Sequence, residues 1–326
     1  MLQIPAGLPK DKDPKGRNPK ADFLSFVCVN GSAGAVLTLW NICNMNSSGE
    51  KIDVVIPCHS KDMGMLGFCL AGCRKNIQGL RNIFLVAEIH DVDVPGVSVI
   101  NEKSFFEDGF SKEQIEKRWK KEHPQNSCRA GWLFQQLIKL GSCYAIPEIS
   151  ETYLILDADV VFLKRTRFFE DGRILLRPSK EFHRPYYDYY RRLMGEEPNV
   201  VHSFISHHMP VKRAVLKSLL DFIEGRCGKK WYEAIMDNID YSQRSGFSEY
   251  EMIGYYVTKH FPDGFRLRNL RNVQSFKWKY LPLLWAGLVD YVTIHNYKKP
   301  ENNPLTNNLI YRSYLWWIKS KLGDNR

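Results

Sequence analysis

The spacing of short apolar runs between residues 51 and 100 restricts the fold of this chain more than any other feature. Ile52-Asp53-Val54-Val55-Ile56-Pro57 is β-branched and stops at a proline, as a buried parallel strand does. Residues 64–77 carry a helical pattern, Ile83-Phe84-Leu85-Val86-Ala87 reads as a second strand, and Val97-Ser98-Val99-Ile100 reads as a third after Pro95-Gly96. Strand, helix and strand at this spacing open a doubly wound α/β sheet. A charged helical patch at 111–121 reads as exposed. The segment Arg129 to Leu140 puts Trp132, Leu133, Gln136, Leu137 and Leu140 at helical spacing, so it packs on the sheet.

The most hydrophobic strand candidate, Thr152-Tyr153-Leu154-Ile155-Leu156, stops at Asp157-Ala158-Asp159. In an open parallel sheet, ligands bind at the carboxyl ends of the strands. Two acids there repel each other and lose hydration, so they call for a cation. A divalent metal carried on a diphosphate is such a cation. Apolar residues before the acids, and Val160-Val161-Phe162-Leu163 after them, place the pair at a buried edge where solvent is a poor substitute. An isolated pair of this kind more often ends a strand in polar turn residues; the flanking runs are what favour metal.

Beyond Asp159 the pattern turns α+β, with a strand near Ile174-Leu175-Leu176 and helices at about 186–194, 211–224 and 230–238. Ser248, with Glu251 three residues on, resembles a capping box that opens a helix running to about Lys259. Leu309 to Leu322 is a basic amphipathic helix whose Trp316 and Trp317 cover the core or rest on a membrane surface.

Tyr153-Leu154-Ile155-Leu156-Asp157-Ala158-Asp159-Val160-Val161-Phe162 resembles the DxD segment of GT-A-fold glycosyltransferases. Val54-Val55-Ile56-Pro57-Cys58-His59 is similar to the first strand of that fold. With Arg129-Ala130-Gly131-Trp132 before the acids and Ser248-Glu249-Tyr250-Glu251 after them, the order of motifs resembles a sparsely characterised DxD set of such enzymes from bacteria, algae and large algal viruses. The resemblance covers about residues 51–300. It implies a GT-A-like doubly wound mixed sheet, with a Rossmann-like donor half and an α+β acceptor half. It also implies metal-dependent transfer of a sugar from a nucleoside-diphosphate sugar to a hydroxyl acceptor, a glycan before a lipid or protein.

By the same resemblance Asp157 and Asp159 hold Mn2+ or Mg2+, and a late histidine adds a ligand with a lysine nearby for phosphate. Val292-Thr293-Ile294-His295-Asn296-Tyr297-Lys298-Lys299-Pro300 is similar, which assigns His295 to the metal and Lys298 and Lys299 to the phosphates. The segment is shorter than the corresponding one of glycogenin-like enzymes and lacks its glycine and tryptophan. Pro57, His59, Lys61, Asp62 and Asp157 stand at strand ends that meet the nucleotide, and Arg129 is a further phosphate candidate, or a brace for its own helix. Fixed cations there stabilise the charge that grows on the leaving oxygen.

Inverting transfer also needs a carboxylate to take the acceptor proton. Glu251, and after it Glu249, are the candidates, because a helix start keeps acids ionised; the plainer role for both is capping. His202, His207 and His208, just before Met209-Pro210, read as an acceptor-facing loop. Tyr186, in Tyr186-Tyr187-Asp188-Tyr189-Tyr190, reads as a wall for an acceptor sugar, although aromatic residues on a helix more often fill a core.

Composition removes other classes. Of 326 residues 46 are Lys or Arg and 36 Asp or Glu, and the net charge of +10 gathers at the two ends, leaving residues 21–262 neutral. Basicity of that kind holds something anionic locally. Nucleic acid is not the expected partner, since zinc-finger spacing, RNP-like aromatics and a basic helix leading into heptads are all missing. The 8 cysteines include no CxxC pair, which speaks for reduced thiols rather than zinc or a disulfide framework. No GxGxxG follows the first strand and no Walker loop occurs, which weakens dehydrogenase and P-loop readings. A nucleotidyltransferase, which needs a Gly-rich basic loop, and a non-catalytic glycan- or membrane-binding protein on the same scaffold are the remaining alternatives.

The expected organisation is a flexible basic leader and uncharged segment over 1–50, a donor half over 51–163, an acceptor half over 164–300 and the basic helix over 301–326. Residues 23–49 carry no charge and follow five basic residues, so a type II anchor through 23–45 in the secretory pathway is one expectation. Asn30, Gly31, Ser32, Thr38 and Asn41 interrupt the segment, whereas a spanning helix needs roughly 20 mostly apolar residues. A cytoplasmic protein with peripheral membrane contact is therefore the first expectation.

Overall fold

Ile52–Cys58 (β1) is buried along its whole length, as only a strand covered on both faces can be. The computed structural model of the chain describes residues 51–88, 94–124, 129–199, 202–274, 283–284, 286–294 and 306–323, the side chains of 306–311 excepted. All of them belong to the compact unit Asn46–Arg326. After β1 come β2 (Leu80–Ala87), β3 (Ser98–Asn101), β4 (Thr152–Leu156), β5 (Val160–Phe162), β6 (Phe169–Glu170), β7 (Arg173–Leu176), β8 (His208–Lys212), β9 (Phe265–Leu267), β10 (Asn272–Val273) and β11 (Tyr291–Thr293). The helices are α1 (Met63–Asn76), α2 (Lys112–Glu122), α3 (Ala130–Ala145), α4 (Arg184–Met194), α5 (Arg213–Cys227), α6 (Trp231–Asn238), α7 (Glu249–His260) and α8 (Thr306–Leu322).

The main sheet has the order β3-β2-β1-β4-β8. Its first four strands are parallel, with Val55 beside both Phe84 and Ile155, and β8 closes the sheet antiparallel to β4. The α/β class is the expected one, with a mixed, mostly parallel central sheet. β1 and β4 lie side by side, so His59 and the acids after Leu156 leave the sheet at one edge. Two further three-stranded sheets have the orders β10-β11-β5 and β6-β7-β9, and β5 follows the acids directly.

Asp53, inside the apolar run of β1, is fully buried yet satisfied. Arg81 Nε donates to its Oδ1 over 2.9 Å, and the backbone N–H groups of Asn82 and Ser150 complete its shell. It is a structural acid, with every oxygen accounted for. Gly72 serves the site more directly. A Cβ there would meet the backbone nitrogen of Phe162 at 2.9 Å, so only glycine lets α1 lie against β5, the strand that leaves the acids.

Several expectations are corrected. Residues 208–212 form a strand, where the sequence suggested a histidine loop leading into a helix at 211. Pro210 concealed it; β8 is the edge of the sheet, where a strand tolerates a residue without an N–H. The patch at 111–121 is not wholly exposed, because Ile115 and Trp119 of α2 are buried. On α8, Trp317 packs into the core while Trp316 is 69% exposed. Cys58, Cys69, Cys73, Cys143 and Cys227 are free thiols; Cys28, Cys43 and Cys128 lie outside the described residues. Among the described residues no helix is long and apolar enough to cross a membrane, and residues 23–45 lie outside them.

Candidate active site

The carboxyl ends of β1 and β4 build the site. β1 runs out through His59, whose Nδ1 accepts the N–H of Lys61 over 3.3 Å and so opens a short turn, Ser60–Asp62. His59 and Lys61 are exposed there and Asp62 is half-buried, while Pro57 is buried in the strand. β4 runs out through Asp157-Ala158-Asp159. The Asp157 N–H donates to the carbonyl of His207 over 3.1 Å, and the carbonyl of Asp159 accepts the N–H of Ile294 over 2.8 Å. Strands β8 and β11 therefore fix the backbone of both acids. His295, Lys298 and Lys299 lie outside the described residues.

Asp157 is engaged on both oxygens. Lys139 and Tyr250 donate to Oδ1, the tyrosine over 2.9 Å, and His207 Nδ1 donates to Oδ2 over 3.0 Å. Lys139 comes from the middle of α3 and is buried. Its ammonium also donates to Glu249 Oε1 over 2.6 Å and to the Tyr250 hydroxyl oxygen over 3.1 Å. One ammonium thus joins the acid after β4 to the first turn of α7.

The charges follow from this geometry. Burial pushes the Asp157 carboxyl up, but the Lys139 ammonium and His207 outweigh it and hold the group well below the usual carboxylate range. Burial pulls Lys139 down, and its two acids more than reverse that. Glu249, buried and beside Asp157, is raised despite Lys139. The two acids share one cation and titrate as a coupled pair, Asp157 held low by its donors and Glu249 raised by burial. Burial lowers His207, yet its bond to Asp157 leaves it raised overall. The residue has φ +62°, the left-handed region that few residues other than glycine enter, histidine more often than most. Strain of this kind is held only where surrounding bonds insist on it.

Glu251 stands two residues beyond Glu249 and faces another way. Its Oε2 accepts the N–H of Phe204 over 2.8 Å. Burial pushes the carboxyl up to about 7, against the opposing bonds from the Phe204 N–H and the hydroxyls of Ser203 and Tyr255. The Ser248 hydroxyl accepts the Glu251 N–H over 3.4 Å, so Ser248 caps α7 as expected. The reciprocal half of the capping box is replaced by the bond to Phe204.

The other sequence candidates are placed as follows. Arg129 Nε donates to the carbonyl of Arg244 over 2.8 Å, its Nη2 to the Ser245 hydroxyl over 3.2 Å, and its guanidinium lies 4.1 Å from the centre of the Trp132 ring. It braces the loop before α7. His183 Nε2 bonds to the Ser245 carbonyl over 2.8 Å, and the half-buried ring of Tyr186 lies 4.5 Å from His183. Burial raises the Tyr186 hydroxyl to about 12. His208 is not on an acceptor-facing surface: it is buried in β8 with Phe162, Phe168 and Tyr291 around its ring, and burial lowers it to about 3. His207 stands beside the acids, bonded to Asp157. The residues that sequence reasoning missed are Lys139 and Tyr250. A lysine three positions from Gln136 and one before Leu140, on a helix face otherwise buried, was the available sign, because a buried ammonium needs an acid partner.

The fit to a divalent metal is only partial. Asp157 has three donors of the chain on its carboxylate, and among the described residues no three His, Cys, Asp or Glu side chains converge so as to hold an ion.

Residues 75–270 match a family described as "Family of unknown function (DUF6492)". No curated protein matches the sequence. Among solved structures the chain is similar to the apo form of mouse xyloside xylosyltransferase 1, with 12% identity, a TM-score of 0.41, and coverage of 76% of this chain and 99% of that one.

Proposed function

The chain belongs to the DUF6492 family, and from its own site we propose that it is a glycosyltransferase, moving a sugar from a nucleoside-diphosphate sugar to a hydroxyl acceptor, with a glycan as the first candidate. The observation that carries this reading is the meeting of three things at one sheet edge: the end of β1, the acids after β4, and the acidic first turn of α7. Ligands of parallel sheets bind at such an edge, and acids gathered there suit a diphosphate that brings its own cation. The motif order of the DxD set supports the same assignment, with Mn2+ or Mg2+ as the ion and Asp159 as the acid nearest to it.

The chain's own residues divide the work. His59, Lys61 and Asp62, on the turn after β1, face the nucleotide. Lys61, with Lys298 and Lys299, supplies positive charge to the departing diphosphate. Glu249 is tied to Lys139, which leaves Glu251 to take the proton of the acceptor hydroxyl. A base poised near neutrality suits that task, and burial puts Glu251 at about 7. His207 and the loop from 203 to 206 lie between Glu251 and the acids and border the acceptor. Tyr186 and Arg129, which converge on Ser245, form a wall beside Glu249.

The test is a panel of nucleoside-diphosphate sugars offered to the wild-type chain with Mn2+ and a mixture of oligosaccharide acceptors. Transfer from one donor is expected to rise with pH through about 7, as the Glu251 carboxylate forms. Glu251→Gln is expected to lower it by about 10²–10⁴-fold, the usual worth of a general base. A stability control accompanies it. Because the folded-state value lies above the ordinary 4.5, Glu251 contributes stability that is full below 4.5 and is lost as pH rises through about 7. The variant's melting temperature is therefore flatter between pH 5 and 8 than the wild type's. Transfer that is independent of pH and indifferent to Glu251→Gln contradicts the assignment.

A further inference from the structure

We infer that Asp157 is not a metal ligand but the internal counter-ion of Lys139, so that the two acids of Asp157-Ala158-Asp159 have separate tasks. The inference deepens the proposed function and rests on it only for the identity of the metal. A carboxylate has two oxygens, and those of Asp157 are already met by an ammonium and a phenol on Oδ1 and an imidazole on Oδ2. Its closest charge is the buried ammonium of Lys139, whose side chain is 8% exposed. A divalent ion on Asp157 would have to sit next to that fixed positive charge, in a medium that screens it poorly.

The same ammonium reaches Glu249, which is 3% exposed. Removing Asp157 from this group therefore changes how α7 is held, not only what the sheet edge presents. The arrangement joins α3, the end of β4 and the first turn of α7 through a buried cation flanked by two acids. Its role is to fix these elements against one another, and to hold His207 in its left-handed conformation through the bond to Oδ2. A buried ion group is well suited to specify a unique arrangement, because every alternative leaves a charge unpaired.

Two measurements on the full chain decide it. In the first, thermal unfolding is followed for Lys139→Met, Asp157→Asn and the double variant. If Asp157 is the counter-ion of Lys139, the double variant melts at a higher temperature than Lys139→Met alone, since the second change removes the acid that the first one stranded. A double variant that loses the sum of the single losses overturns the inference. In the second, binding of Mn2+ alone is measured by electron paramagnetic resonance for the wild type, Asp157→Asn, Asp159→Asn and the neutral triple variant Lys139→Met/Asp157→Asn/Glu249→Gln, which leaves no charge of the group unpaired. Asp157→Asn and the triple variant are expected to keep saturable Mn2+ binding, weakened by no more than about tenfold for the loss of a nearby charge, and Asp159→Asn to lose it. Loss of Mn2+ by Asp157→Asn and the triple variant as complete as that by Asp159→Asn overturns the inference. A wild-type chain that takes up no Mn2+ agrees with Asp157 being no ligand and counts instead against the metal-dependent part of the proposed function.

Discussion

Lys139→Met is expected to lower the free energy of unfolding by about 3–5 kcal/mol, the range seen when one partner of a buried ion pair is removed. The side chain is 8% exposed and touches two acids, so the substitution strands both Asp157 and Glu249 away from water. Methionine fills nearly the same volume without charge, which confines the loss to electrostatics and to the Tyr250 hydroxyl that also meets the ammonium. Because the folded-state value of Asp157 is depressed, its share of the stability is present above the ordinary carboxylate value and is lost as pH falls through the depressed one. The raised value of Lys139 gives a share that is present below the ordinary 10.5 and is lost at more alkaline pH. The difference between wild type and variant is thus full at neutral pH. Urea unfolding at pH 7 measures it, and a loss below about 1 kcal/mol, the level of an exposed pair, contradicts the pairing.

Asp159→Asn is expected to lower transfer from the donor by about 10²–10³-fold, the cost of deleting one preorganised charge at a reacting centre. The change keeps the size of the side chain, and the backbone around it is pinned from two sides: the Asp159 carbonyl accepts the Ile294 N–H and Val160 begins the strand paired with Thr293. The melting temperature is expected to stay within a few degrees of the wild type's. Separate effects on turnover and on stability distinguish an acid that acts on the donor from one that holds the fold, as Asp157 does. Unchanged turnover in Asp159→Asn removes the catalytic role of the motif.

The strands that proved easiest to read from sequence are those buried on both faces. β1, β4 and the Ile83–Ala87 part of β2 are nearly continuous apolar runs, because those stretches are buried, and their order with α1 and α3 fixes the sheet edge where the acids emerge. β8 escaped notice for a physical reason. It carries His208 and Pro210, which read as loop residues, and it is a strand only because β4 offers it an antiparallel partner, Leu154 facing Pro210. Pairing between segments that far apart leaves no local trace.

The site was legible in part for the same reason. Asp157 and Asp159 announce themselves by lying at the end of an apolar run, and Glu249 and Glu251 by following a capping serine. What brings them together does not. Lys139 meets Glu249 across 110 positions of sequence, and nothing in the sequence shows that Tyr250 will turn its hydroxyl to Asp157. The separation of roles between Glu249 and Glu251 likewise depends on which buried donor each one meets, Lys139 for the first and the Phe204 N–H for the second.

Calorimetric titration of the full chain with the common nucleoside diphosphates, each with and without Mn2+, tests most directly whether the carboxyl edge of β1 and β4 holds an activated sugar's nucleotide. The expected result is saturable binding of one of them in the micromolar range, strengthened by Mn2+ and weakened by Asp159→Asn. Failure of every nucleoside diphosphate to bind at millimolar concentration, with or without the ion, contradicts it.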